Sequence, residues 1–190
     1  MKRRSGGAAW VVMGVSGAGK TEMGRRLAAA LGAAFLDADD LHPPRNVAAM
    51  ASGKPLTDGM RAAWLDACAR ALAAHRRRGD VVMACSALKR AYRRRLRAGV
   101  PGLRFAHLAV PRAEVRERLR TRTGHFMPAT LLRSQFMALE APRPSEGAVR
   151  VQADAPRRIV ARRLARAARR ARRRPLARGP GRGDEGPCSP

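Results

Sequence analysis

The chain has 190 residues and a formal net charge of +26, with hydrophobic residues at 45% and charged residues at 28%. That length suits one compact domain able to bury a core without disulfide or metal staples, and no apolar run approaches the ~20 residues needed to span a bilayer. The three cysteines, Cys68, Cys85 and Cys188, form no closely spaced pair, which excludes a disulfide scaffold and a Cys-x-x-Cys zinc site.

Along the chain, Trp10-Val11-Val12-Met13 is a short β-prone run that ends in a glycine-rich loop. Residues 21–31 favour a helix, with Gly32 as its C-cap. Residues 33–36 read as a second strand, closed by the acidic cluster Asp37-Ala38-Asp39-Asp40. Pro43-Pro44 breaks the chain, and a short helix follows to Met50. A longer helix over 58–78 carries Trp64, Leu65, Cys68 and Leu72 at helical spacing. Residues 80–85 form a continuous apolar run suited to a buried parallel strand, and 89–97 a basic helix. A strand over 103–110, helices over 112–122 and 128–140, a strand over 149–151 and a final helix from Pro156 complete the pattern. On the 128–140 helix Leu132, Phe136 and Leu139 share one face, and these three with Trp64 are expected in the core. Strands alternating with helices predict an α/β fold with a parallel sheet of about five strands covered on both faces. Residues 1–9 and the Arg, Pro and Gly-rich stretch 174–190 are expected to be flexible, leaving a domain over 10–173.

The charge is uneven. Residues 157–190 hold 12 basic and 2 acidic residues, and the first 156 hold 28 basic against 12 acidic. Of the 40 basic residues 36 are Arg and 4 are Lys, a skew that reads as compositional bias. With aromatic residues at 4% and no recognition motif, no specific nucleic-acid partner is expected. Lys2-Arg3-Arg4 and the apolar stretch 8–15 imitate a signal peptide, but that stretch runs into a glycine loop without a cleavage site. A cytoplasmic protein with no membrane partner is expected.

Gly14-Val15-Ser16-Gly17-Ala18-Gly19-Lys20-Thr21 fits G-x-x-x-x-G-K-[ST] at every fixed position, between a predicted strand and a predicted helix. Glycines let such a loop curl so that successive N–H groups point at phosphate oxygens, and the following helix turns its positive end to the same anion. The Lys20 ammonium reaches the β- and γ-phosphates of a nucleotide, and the Thr21 hydroxyl is placed to ligate Mg²⁺. ATP and Mg²⁺ are therefore the expected ligands.

Ligands of parallel α/β sheets bind at the carboxyl ends of the strands. Asp37 and Asp39 follow the second strand, which sets them beside the phosphate loop if that strand neighbours the first. Phosphoryl transfer to an alcohol needs a carboxylate to orient the hydroxyl or take its proton. One aspartate can serve the metal's water shell and the other the acceptor. The residues alone leave the acceptor open, among sugar acids, shikimate and nucleotides.

Several stretches together resemble the gluconokinase family of small P-loop kinases. They are 12–20, Asp39-Asp40-Leu41-His42-Pro43-Pro44, Met50-Ala51-Ser52-Gly53-Lys54-Pro55-Leu56, Ala84-Cys85-Ser86-Ala87-Leu88-Lys89-Arg90, Arg122-Thr123-Gly124-His125-Phe126-Met127-Pro128 and Ser134-Gln135-Phe136. The resemblance covers roughly 10–165. It implies transfer of the ATP γ-phosphoryl group to the 6-hydroxyl of D-gluconate, a fold shared with nucleoside monophosphate and shikimate kinases, a lid around 112–140 and a homodimer. Where this chain has Ala38 the family usually has Gly, and the 58–65 stretch is usually more acidic, with Pro before Trp.

Under that resemblance Asp39 is assigned to the acceptor hydroxyl and Asp37 to the metal shell, although the two roles are exchangeable. Arg61 is a clamp for the gluconate carboxylate, because guanidinium matches carboxylate bidentately. His42 is set to hydrogen-bond sugar hydroxyls or to brace the Pro-Pro turn. Ser86 and Lys89 follow the third strand at the same edge, and Lys89 is one of only four lysines. Arg118 and Arg122 sit near the lid, where an arginine can neutralise charge on the transferred phosphoryl group. Arg122 is taken as catalytic with Lys20 and Asp39. Cys85 reads as a small buried hydrophobe.

Overall fold

The computed structural model describes residues 6–120 and 129–173, with the side chains of 129–131 and 144 left aside. Seven helices and five strands alternate along them: β1 (Ala9–Met13), α1 (Lys20–Leu31), β2 (Ala34–Asp37), α2 (Pro44–Ala51), α3 (Asp58–Arg76), β3 (Val81–Ala84), α4 (Arg90–Gly99), β4 (Arg104–Ala109), α5 (Arg112–Arg120), α6 (Ala129–Ala138), β5 (Val149–Gln152) and α7 (Arg157–Arg172). Short 3-10 turns over Ala38–Leu41 and Pro144–Glu146 complete them. The strands form one parallel sheet in the order β2-β3-β1-β4-β5.

Both faces of the sheet are covered, so β1 and β3 are apolar throughout rather than alternating. Val11, Met13, Val81, Met83 and Phe105 point to one face, against Trp64, Leu65, Cys68 and Leu72 of α3 and Leu96 of α4. Trp10, Val12, Val82, Ala106 and Leu108 point to the other, against Met23 and Leu27 of α1 and Val160 and Leu164 of α7. Trp64 and Leu132 are buried as expected, and Phe136 and Leu139 pack partly buried at the rim. Gly32 caps α1 at φ 63°, its N–H donating to the carbonyls of Ala28 and Ala29.

The strand order corrects one expectation. The second strand does not neighbour the first, because β3 is inserted between them. Val81 to Ala84 are all buried and need cover on both faces, so β3 takes a central place; β2, with Ala34 exposed and the rest half-buried, lies at the edge. At the other end of the strands, Gly7 donates to the Arg76 carbonyl at 2.9 Å and Ala8 to Asp80 Oδ1 at 2.7 Å. Those two residues of the 1–9 stretch are thus tied down.

The helices after the adjacent strands β1 and β3 leave to opposite faces, α1 to one and α4 to the other. A crevice opens at the carboxyl ends of such a pair. The phosphate loop and the loop 85–89 lie there.

Candidate active site

The loop 14–21 closes β1 tightly because its glycines take backbone shapes other residues resist. Gly17 has φ 79°, and a Cβ there would sit 3.0 Å from Val115 Cγ1 and 3.1 Å from Leu119 Cγ, so helix α5 packs directly on the loop. Gly19 is the N-cap of α1 at φ 88°. Val15 and Ala18 are buried in the core and anchor the loop from beneath. Lys20 Nζ donates to the Val15 carbonyl at 3.2 Å, and the Ala18 amide donates to the same oxygen at 3.2 Å. The Ser16 amide donates to Gln135 Oε1 of α6 at 2.7 Å.

Thr21, in the first turn of α1, donates its hydroxyl to Asp37 Oδ2 at 2.8 Å. The acidic pair therefore meets the phosphate loop although their strands do not touch: α1 carries Thr21 across to the end of β2. Asp37 Oδ1 accepts the Asp39 amide at 3.1 Å and caps the turn at Ala38–Leu41. The Asp39 residue itself is exposed at that turn.

Behind the pair, His42 stacks on Trp64 with ring centroids 4.2 Å apart and an interplanar angle of 11°. Trp64 Nε1 donates to the Ala38 carbonyl at 2.7 Å, which pins the turn to α3. Ala38, where the family usually has Gly, is fully buried. Asn46 Nδ2 lies 3.4 Å from His42 Nδ1 and donates to the Met60 carbonyl at 3.1 Å. Burial holds the His42 pKa below its ordinary value, with Arg61 adding to that effect and Asp39 opposing it. His42 is thus a braced, largely neutral ring.

Across the crevice, Lys89 Nζ donates to both carboxylate oxygens of Asp58, at 2.9 and 2.7 Å. The Tyr92 hydroxyl donates to Asp58 Oδ1, and Arg61 Nη1 stands 3.9 Å from the same oxygen while donating to the Leu56 carbonyl. The hydrogen bond from Lys89, then that from Tyr92, lowers the Asp58 pKa, and the same bond to Asp58 raises that of Lys89. Burial, then the bond to Asp58, raises the Tyr92 hydroxyl. The loop feeding Lys89 is under strain: Ala87 takes φ 42° while fully buried. The carbonyl of Ser86 accepts the Gly14 amide at 3.4 Å, joining this loop to the start of the phosphate loop.

The structure thus brings together the loop 14–21, Asp37, Asp39 and His42 on one side, and Ser86, Lys89 and Arg61 on the other. Arg122, with His125 and Phe126, lies outside the described residues. Arg118 is engaged elsewhere, donating to Glu114 Oε1 at 3.1 Å and to the Ala153 carbonyl at 2.5 Å. Cys85 is buried at 1% exposure. Asp58, Tyr92 and Gln135 had no role in the sequence reading. Tyr92 could have been noticed as the only tyrosine, set in a basic helix; Gln135 stands in the Ser134-Gln135-Phe136 stretch of the resemblance without an assigned role, and Asp58 carries no such signal.

The chemistry of this donor set suits a hard cation. A hydroxyl and a carboxylate bonded to each other beside a phosphate loop are the sparse oxygen ligands with which Mg²⁺, keeping waters and phosphates, is content. Among the described residues no group of three or more His, Cys, Asp or Glu forms a metal cage.

The family model described as an AAA domain matches residues 10–144. A gluconokinase of Gluconobacter oxydans (strain 621H) is 45% identical over 157 residues, which cover 82% of this chain and 88% of that protein. The chain belongs to the gluconokinase family. The thermosensitive gluconokinase of Escherichia coli (strain K12) is 43% identical over 141 residues, covering 74% of this chain and 75% of that one. The crystal structure of a gluconokinase from Sinorhizobium meliloti 1021 superposes with a TM-score of 0.79 at 45% identity, covering 90% of this chain and 96% of that one. Membership makes the chain a P-loop kinase, an enzyme using ATP.

Proposed function

We propose that the chain transfers the γ-phosphoryl group of ATP to the 6-hydroxyl of D-gluconate, giving 6-phospho-D-gluconate and ADP. One observation carries this reading: the 2.8 Å bond from Thr21 to Asp37 joins a phosphate-cradling loop to an acidic pair. The names of the relatives supply the acceptor.

In this reading the amides of Gly14, Val15, Ser16, Gly17, Ala18 and Gly19 cradle the phosphates, and Lys20 turns from the Val15 carbonyl to the β- and γ-oxygens. Thr21 and Asp37 would hold Mg²⁺, which when bound would offset the negative charge of the phosphates. The 6-hydroxyl oxygen of gluconate attacks the γ-phosphorus in line as the bond to the β–γ bridging oxygen breaks. Its proton passes to the Asp39 carboxylate. Arg61 and Lys89 hold the gluconate carboxylate, and His42 and Ser86 contact its hydroxyls. Arg122 offsets charge on the transferred group.

The resemblance supports three companion proposals: a kinase domain over 10–173 with its lid around 112–140, a homodimer, and a cytoplasmic location without a specific nucleic-acid partner. Among the described residues no helix is long and apolar enough to cross a membrane.

The test is ADP release measured across gluconate, other sugar acids, shikimate and nucleoside monophosphates. Turnover with gluconate is expected to exceed that with every other acceptor by at least ~100-fold in kcat/KM, since a site that bonds several hydroxyls and a carboxylate rejects acceptors lacking them. A preference for any other acceptor would overturn the proposal.

A further inference from the structure

The Ser16 amide belongs to the set of N–H groups that a phosphate loop offers to a nucleotide, yet in this structure its partner is a side chain from another element. Gln135 Oε1 accepts it at 2.7 Å, at the short end of the N–H···O range. An N–H donor demands an acceptor, so the bond also fixes which way the amide of Gln135 is turned. The contact is built into the packing rather than made by a stray side chain. Leu132 and Phe136 on either side of Gln135 pack into the same core as Val15, Ala18 and Val115.

Beyond α6 the chain is fastened to the acceptor side of the crevice. The Glu140 amide donates to the Leu88 carbonyl at 3.1 Å, and Glu140 Oε2 accepts the Arg90 amide at 2.7 Å. That carboxylate supplies the first turn of α4 with the cap that Lys89, its N-cap residue, does not provide. Helix α6 therefore spans from the phosphate loop to the loop that carries Ser86 and Lys89.

We propose that Gln135 is a positioning residue whose amide oxygen occupies the phosphate position at Ser16 until nucleotide arrives, so that ATP binding must displace it and thereby shift α6. The inference rests on the reading of the loop 14–21 as the nucleotide site. The chemistry of an amide suits this part. An unmet N–H in a half-buried loop is costly, so the Ser16 amide gains from any acceptor. A neutral amide oxygen binds an N–H about half as strongly as a charged phosphate oxygen does, so it yields when the anion comes. A carboxylate in its place would compete with the phosphate as an equal. The tie through Glu140 then carries the displacement of α6 to the acceptor loop, so nucleotide and acceptor sites are linked through one helix.

The experiment is calorimetric titration of the full chain with ADP in the presence of Mg²⁺, using the unaltered chain, Gln135→Ala and Gln135→Glu. Gln135→Ala removes the occupant and is expected to tighten ADP about 3- to 10-fold, the worth of one net hydrogen bond. Gln135→Glu is expected to weaken ADP by at least as much, and the weakening should shrink as the pH falls through the carboxylate range. A merely structural role for Gln135 would shift both variants the same way and show no such pH dependence. Equal affinity in all three proteins, or weaker binding in Gln135→Ala, would overturn the assignment while leaving the nucleotide site in place. Failure of the unaltered chain to bind ADP would overturn the nucleotide reading itself, and this inference with it.

Discussion

Asp37 spends both carboxylate oxygens on protein donors, the Thr21 hydroxyl and the Asp39 amide, whereas Asp39 stands exposed at the next turn. Two carboxylates two residues apart thus differ in setting: Asp37 is held by protein donors, and Asp39 is the one we propose for the substrate hydroxyl. Asp39→Asn keeps the shape and removes the base. It is expected to lower kcat about 10²- to 10⁴-fold, the usual worth of a general base, while ADP affinity stays within about twofold. Steady-state kinetics beside an ADP titration checks this, and a kcat within tenfold of the unaltered chain would move the base elsewhere. At this scale the phosphate loop and the aspartates are visible by residue type and Lys89 as one of four lysines, whereas Arg61 is singled out only through the resemblance. Gln135 enters only as part of the Ser134-Gln135-Phe136 stretch, because a neutral amide suggests no role of its own until a fold sets it against the Ser16 amide. Asp58 was hidden for a similar reason. Its role depends on Lys89 and Tyr92, more than thirty residues away in the chain.

The elements show the same division between local and distant information. Among the described residues, the strand and helix boundaries set by apolar periodicity, a glycine cap or a proline lie within a few residues of their expected places, since those signals act within a turn or two. The insertion of β3 between β1 and β2 was not legible, because strand order is decided by which strand most needs cover on both faces. Nor was the fastening of α4. Arg93, fully buried in that helix, donates from Nε and Nη2 to the two Glu146 oxygens at 2.7 and 2.9 Å, and from Nη1 to the carbonyls of Ala87 and Leu88. One guanidinium therefore holds the strained loop under Ser86 and Lys89 to the segment after α6. In an Arg-rich sequence this arginine looks like all the others. Glu146→Ala strips the partner and leaves a buried charge, which typically costs 3–5 kcal/mol, or roughly 10 °C in melting temperature for a chain of this size. Asp66→Ala removes an equally well-aligned bidentate pair with Arg95, but both side chains there are more than two-fifths exposed, and the melting temperature should move far less. Thermal melts of the two variants decide it; similar shifts would mean that Arg93 finds another partner or reaches water.

For the whole molecule the governing facts are a parallel sheet covered on both faces and a net charge of +26. Self-repulsion makes every added proton unwelcome, and two histidines lowered by burial, His42 and more strongly His107, make acid sensitivity specific. His107 on β4 lies opposite Arg150 of β5 at 5% exposure, and its Nδ1 has no hydrogen-bond partner among the described residues. Burial first, then the neighbouring charges of Arg150 and of Arg93 from α4, lower its pKa to about 4. The folded state therefore binds this proton less readily than the unfolded chain, whose histidine titrates near 6.5. The contribution is complete above pH 6.5 and is lost as the pH falls toward 4, on the order of 3 kcal/mol at full effect. Glu146 follows in a lower window. Burial would raise it, but the bonds from Arg93 and the Arg143 amide overcome that and hold it at about 2, so its contribution is present above 4.5 and lost below. Stability should thus decline in two stages, that of His107 first and that of Glu146 at lower pH. Urea unfolding from pH 7.5 to 4, in salt near 0.15 M so that surface repulsion is screened beyond ~8 Å, isolates the first stage. His107→Asn, which removes the titrating ring, is expected to flatten the slope between pH 6.5 and 4.5 whatever it does to absolute stability. An unchanged slope in that variant would transfer the acid sensitivity from His107 to His42 and the basic surface.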